Sequence, residues 1–180
     1  MKAKNIALGG ILVALTSIVL YATSILPIST IAILTIASAI IPVCIIRSDI
    51  QTSIFVYIAS SLIAFFLVSI NISLLYFIFF GVYGIVKYFI ERMRKEKLEV
   101  LLKLIFFNIA FVIGFIIMQN ILGINIIAGL EALASKFFDT STRLIATIIL
   151  WIVAQPIFLI YDYAMTMIIT FYMERIHKKI

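Results

Sequence analysis

Asp162 is the one acid in an otherwise uncharged run from Leu144 to Tyr172. An ionised carboxylate at the centre of a lipid-spanning helix costs about 2.5–3.5 kcal/mol on insertion scales, so it needs a partner or a water path. Two functional roles fit that residue: a counter-charge for a cationic substrate, or a site that carries a proton. Two structural roles fit as well: an ion pair with Lys87, or a hydrogen bond to Asn108. A second group of polar residues lies further from the basic tail. Gln119 and Asn120 close one apolar segment, while Trp151 and Gln155 begin the deeper part of another, with Pro156 supplying a bend. If those faces meet, they make an aromatic-walled pocket with amide donors and acceptors, suited to a small polar ligand. The competing reading makes Trp151 an interfacial anchor and the amides ties between helices.

Other chemistries find few residues to work with. The single histidine, His177, lies in a basic tail, so a Ser-His-Asp arrangement cannot be assembled inside an apolar bundle. There is no Gly-rich phosphate loop, no pair of metal-binding histidines and no Gly-x-Ser-x-Gly elbow. The lone Cys44 excludes an internal disulfide and a cysteine cluster for metal. Neither an enzyme nor a cofactor or metal is expected.

The elements that must position these residues are set by composition. The chain is 65% hydrophobic and 12% charged, with a mean hydropathy of +1.28, far more apolar than a water-soluble domain. About 20 helical residues cross a hydrocarbon core. Asn5 to Ile46 is uncharged over 42 residues, enough for two crossings broken at Leu26-Pro27-Ile28-Ser29. Ile50 to Val86 is uncharged over 37, with a polar break at Ser69-Ile70-Asn71-Ile72-Ser73. The run from Leu104 to Leu130 gives a fifth span and the run containing Asp162 a sixth. The expectation is one all-α transmembrane domain, 1–180, with spans near 5–25, 29–46, 51–69, 73–92, 101–122 and 143–172. Continuous apolar runs argue against a β-barrel, which alternates apolar and polar residues. Lys2, Lys4 and Ala22-Thr23-Ser24 flank the first run as they would in a secretory leader, but its length favours a retained helix.

Numbering the spans in order places Lys2, Lys4, Arg47, Lys87, Arg92, Arg94, Lys95, Lys97, Lys103, Arg175, Lys178 and Lys179 at one end, against Lys136 and Arg143 at the other. Such a bias marks the cytoplasmic side, so both termini are expected there in a multi-pass protein of the cell membrane. The net charge of +6 is then explained by anionic lipid head groups, and no nucleic acid is expected. The inner ends of spans four and six, Lys87 to Lys95 and Thr170 to Lys178, are alike; aromatic-belt and positive-inside tendencies produce this by convergence, with an internal duplication as the less favoured alternative. Asn71-Ile72-Ser73 fits a glycosylation acceptor, on a turn close to the membrane. Gly81 and Gly84 are spaced for a bend or a close helix contact. On the first span Gly10 and Ala14 put two small residues on one face, a candidate contact surface for another helix.

With its length, six spans and the Gly10-x-x-x-Ala14 face, the whole chain resembles the substrate-binding S component of an energy-coupling factor (ECF) transporter. The resemblance implies capture of a vitamin or similar small nutrient in a pocket formed by later helices. It also implies docking of helix one on a transmembrane coupling subunit, driven by two cytoplasmic ATPases. Gly10 stands where the family usually has alanine, and the first outer loop, Ala22 to Ser29, is short and uncharged. The alternative is a membrane scaffold or assembly protein of cell-envelope morphogenesis or sporulation, with the same helices and no transported ligand. A secondary transporter acting alone would need two repeated halves around a midplane site.

Overall fold

In the computed structural model, residues 3–26, 29–123, 125, 127–135 and 142–175 are described. They form six helices long and apolar enough to cross a membrane: α1 (Ala3–Ile25), α2 (Thr30–Arg47), α3 (Ile50–Leu67), α4 (Ile70–Glu91), α5 (Glu96–Ile116) and α7 (Thr142–Arg175). A short helix, α6 (Ala128–Ala134), precedes α7 and was not foreseen from the sequence. No strand occurs among the described residues. The expected break at Pro27-Ile28 lies outside the described residues, as do Lys2, Lys136, His177, Lys178 and Lys179.

Lipid as solvent explains the distribution of residue types. Large apolar side chains coat the exterior, with Phe66 89% exposed and Ile160 68% exposed, while Ser38, Ser60 and Thr16 are fully buried. That ordering would be ruinous in water and is stable in hydrocarbon, where polar atoms must be satisfied inside the protein. Most hydroxyls meet the need by bonding back along their own helix, as Thr16 does to the Leu12 carbonyl at 2.8 Å and Thr35 to the Ile31 carbonyl at 2.7 Å. Others tie helices together: Ser73 donates to the Ala64 carbonyl at 2.9 Å, clasping the tight α3–α4 turn at Val68-Ser69. Asn71 therefore sits in the first turn of α4, half-buried.

The helices approach closely where side chains are small. A Cβ on Gly84 would lie 2.7 Å from Pro42 Cδ, and one on Gly81 2.7 Å from the Tyr57 ring, so both glycines serve contact of α4 with α2 and α3. On α1 the packed glycine is Gly9, whose Cβ would come 3.2 Å from Thr52 on α3; a Cβ on Gly10 would meet nothing within 4 Å, and Ala14 is exposed. Among the described residues the Gly10 and Ala14 face is thus exposed, with open space at Gly10. At the α2–α3 turn Asp49 caps α3, accepting from the Thr52 amide at 2.6 Å, and also accepts from Asn5 at 2.6 Å, which ties α1 to the same corner. Arg47 lies over the Tyr172 ring at 5.9 Å, so the basic ends of α2 and α7 share one end of the bundle.

Candidate functional site

Three helices, α4, α5 and α7, carry both of the chemically distinctive regions. Nearer the basic end, α4 presents Tyr83, Lys87 and Glu91 at intervals of four residues, hence on one face. Lys103 on α5 and Asp162 with Thr166 on α7 complete the group. The Lys87 ammonium contacts the Asp162 carboxylate, lies 2.8 Å from Glu91 and donates to Thr166 at 2.8 Å. Lys103 reaches Glu91 at 2.7 Å and Asp162 at 3.2 Å. Tyr83 donates to Asp162 at 2.6 Å. Two cations and two anions therefore alternate around a closed, net-neutral ring. Lys87 is 1% exposed, and each of its three donors has an acceptor, the condition for tolerating a charge so deep.

Asp162 thus has the Lys87 partner expected of an ion pair; the hydrogen bond to Asn108 is not made. Lys103, Glu91 and Tyr83 were not foreseen in this role. The four-residue spacing of Tyr83, Lys87 and Glu91 was the available signal, since residues at an apolar helix's end are otherwise read as interfacial anchors.

On the side away from the basic end, the same helices, with Ile31 of α2, line a partly open cavity of about 330 Å³. Its walls include Phe79 and Phe80 of α4, Phe107 and Phe111 of α5, and Phe158 and Tyr161 of α7. Phe107 and Phe158 stack at 4.5 Å between centroids, and Phe79 packs edge-on to Phe80 at 5.0 Å. Among the described lining residues only Tyr161 carries a hydroxyl, and that group is engaged with Ser38 at 2.8 Å. Ser38 also donates to the Phe80 carbonyl, so α2, α4 and α7 are joined beneath the cavity.

Two π-helical turns border it. One spans Tyr76–Phe80 in α4, the other Ile117–Ile121 at the end of α5. Each adds a residue to a turn, widening the helix and shifting the side chains that follow, and such turns recur at functional sites. Ile78, Phe79 and Phe80 come from the first and Ile117 and Met118 from the second. Within the first turn the Phe77 carbonyl accepts from Tyr57 at 2.8 Å.

The amide group expected near the outer end is divided. Trp151 and Gln155 do not meet Gln119 or Asn120; they meet Asn108, whose Oδ1 accepts from the indole at 2.7 Å and from the Gln155 amide at 3.0 Å. Asn108 returns a bond to Gln155 Oε1 at 3.3 Å, and Trp151 is 46% exposed. This triad ties α5 to α7 beside the cavity and does not line it. Gln119 is half-buried and Asn120 exposed, next in sequence to the lining residue Met118. At that end Arg143 approaches Glu131 of α6 at 3.9 Å. No group of three or more potential metal ligands occurs among the described residues.

Six apolar helices long enough to cross a bilayer, with large hydrophobic side chains over the exterior, make this a multi-pass membrane protein. No family model, curated protein or solved structure matches the chain.

Proposed function

We propose that the chain is the substrate-binding membrane subunit of an ECF-type uptake transporter for a vitamin or similar small nutrient, lying in the cell membrane with both termini in the cytoplasm. The observation that carries this reading is the cavity of about 330 Å³ among α4, α5 and α7, in the half of the bundle away from the basic end. With the basic end inward, as the excess of Lys and Arg favours, that half faces outside, where a nutrient is captured. The Gly10 and Ala14 face of α1 supports a division of labour. It is exposed among the described residues and would offer a small-residue surface to a transmembrane coupling subunit, which would bring the cytoplasmic ATPases.

The test is thermal stabilisation of the full chain in nanodiscs against a panel of vitamins, combined with recovery of partners from the native membrane. A ligand that binds only the folded state raises the midpoint, by about 2.7 kcal/mol of stability at a hundredfold excess over Kd. Stabilisation by one nutrient together with co-purification of a coupling subunit and ATPases supports the reading. Stable partners without ATPases, and no stabilising ligand, would instead favour the scaffold of envelope assembly. The two candidate regions separate cleanly: Trp151→Ala and Gln155→Ala abolish binding if the amide triad is the site, and leave affinity within about twofold if the cavity is.

A further inference from the structure

The cavity's lining is more selective than its volume. At about 330 Å³ it sits at the lower end of the range typical of small-molecule sites, about 300–1,000 Å³. Such sites ordinarily place a few polar groups to orient the ligand. Here seven of the eighteen lining side chains are aromatic, and the one hydroxyl, on Tyr161, is already bonded to Ser38. A charge or strong hydrogen-bonding group entering this space would give up water and find no free partner among the described lining residues. The buried charges on the same three helices offer it no free partner, because Lys87, Lys103, Glu91 and Asp162 satisfy one another and sum to zero.

Shape narrows the class further. Aromatic walls reward flat π faces, which stack or meet edge-on at centroid separations of about 4.5–7 Å; a flexible acyl chain gains only dispersion and loses rotamer freedom. Phe107, Phe111 and Phe115 recur at intervals of four along α5, with centroids 5.8 and 6.4 Å apart, and make one such continuous wall. Residues of both π turns, Ile78, Phe79 and Phe80 from one and Ile117 and Met118 from the other, belong to its walls.

We infer that this cavity binds an uncharged, predominantly apolar molecule built on a planar ring system. The inference rests on the cavity being the ligand site and goes beyond the uptake role in stating the ligand's chemistry.

The full chain in phosphatidylcholine nanodiscs is labelled with a neutral naphthalene carrying a photoreactive diazirine, and separately with phosphatidylcholine carrying the diazirine in its acyl chain. Labelled sites are mapped by peptide mass spectrometry. The naphthalene probe is expected to label residues 111–118 and 150–158 saturably. Unlabelled 2-methylnaphthalene competes, and 2-naphthoate competes more than about tenfold less well. Gly114→Leu should cut labelling at least about fivefold without lowering the thermal midpoint, because a Cβ at Gly114 meets nothing within 4 Å and leucine favours the helix over glycine. Ala154→Leu fills the facing wall and provides a second variant. Equal competition by the carboxylate, labelling that survives both fillings, or saturable labelling of the same residues by the acyl-chain probe each overturns the inference. Failure here together with stabilisation by a polar vitamin leaves the uptake reading intact and removes the ligand class. Success here without recovery of ATPase partners does the reverse.

Discussion

Removing the Lys87 charge tests whether the four-charge ring is a structural unit. In Lys87→Met the side chain keeps much of its length while Asp162 loses its closest cation and Glu91 loses one at 2.8 Å. At an effective dielectric of about 20, one contact at that distance is worth about 6 kcal/mol before solvation is counted. Stripping water from an ammonium and a carboxylate costs several kcal/mol each, so the net is far smaller than the sum of contacts. What remains after the substitution is two acids leaning on Lys103 alone, an unbalanced buried charge. Removing one partner of a buried pair typically costs about 3–5 kcal/mol, and that is the loss expected here. Pairing it with Asp162→Asn returns the ring to one cation and one anion, Lys103 and Glu91 at 2.7 Å. The double variant should therefore be less damaged than the two singles predict, by about 0.5–3 kcal/mol. Unfolding in mixed detergent micelles, followed by the fluorescence of the single tryptophan, reads these differences directly. Additive losses, or a Lys87→Met cost below about 1 kcal/mol, would show that the four charges do not act as one unit.

Packing predicts opposite outcomes at two glycines. Gly84→Ala drives a Cβ into the rigid Pro42 ring and should cost about 1–3 kcal/mol, whereas Gly10→Ala meets open space and should stay within about 0.5 kcal/mol of wild type in the same unfolding assay. The amide hydrogen bond from Thr52, reinforced by Asn5, holds the Asp49 carboxyl below the usual aspartate value. Because the folded-state pKa is the depressed one, this contribution is present above the unfolded pKa and is lost as pH falls through the folded value. Asp49→Asn keeps a capping oxygen without the titration, so its thermal midpoint should fall less steeply with acidification than that of wild type. Asn108→Leu leaves the Trp151 indole and Gln155 amide without their shared acceptor. At the modest worth of interhelical hydrogen bonds in membranes, the loss should be about 1–2 kcal/mol, with binding in the neighbouring cavity unchanged.

How much of the fold and the site was legible in the sequence depends on which residues lipid makes conspicuous. The spans were plain because a charge-free run of 37 or 42 residues is about twice the length of one crossing, and boundaries near Ile25, Arg47 and Glu91 follow from where polar residues resume. Asp162 and Lys87 could be paired because each is costly alone. The cavity could not be found this way. Phe107, Phe111 and Phe115 share a face, but Phe55, Phe66 and Phe89 look the same in the sequence and are exposed to lipid. When solvent and core are equally apolar, hydrophobic periodicity no longer separates inside from outside. Gly9 and Gly10 show the same limit: both are small, and only the direction of each decides which one meets Thr52. The amides misled for a related reason. Trp151 and Gln155 signalled a polar cluster correctly, but their partner was Asn108, nearly level with them on α5, and not the residues at the end of that helix.

An apolar cavity and a buried ring of charge on the same three helices constrain one another. Tyr161 lines the cavity and Asp162 follows it in the chain; Tyr83 packs against Phe79 at 5.6 Å while its hydroxyl reaches Asp162. The cavity floor is therefore only a side chain away from four formal charges, which alternate and cancel. If that is why the site favours uncharged molecules, unbalancing the ring should change its selectivity with a definite sign. Lys87→Met leaves one excess negative charge below the floor and should raise the affinity of a cationic naphthalene, 2-naphthylmethylammonium, relative to neutral 2-methylnaphthalene. Asp162→Asn leaves one excess positive charge and should lower that ratio. Competition against the neutral photoprobe, under conditions where each variant is folded, measures both ratios. Equal ratios in wild type and the two variants would mean that the charges are too well screened to act on the cavity, and that the lining alone sets its preference.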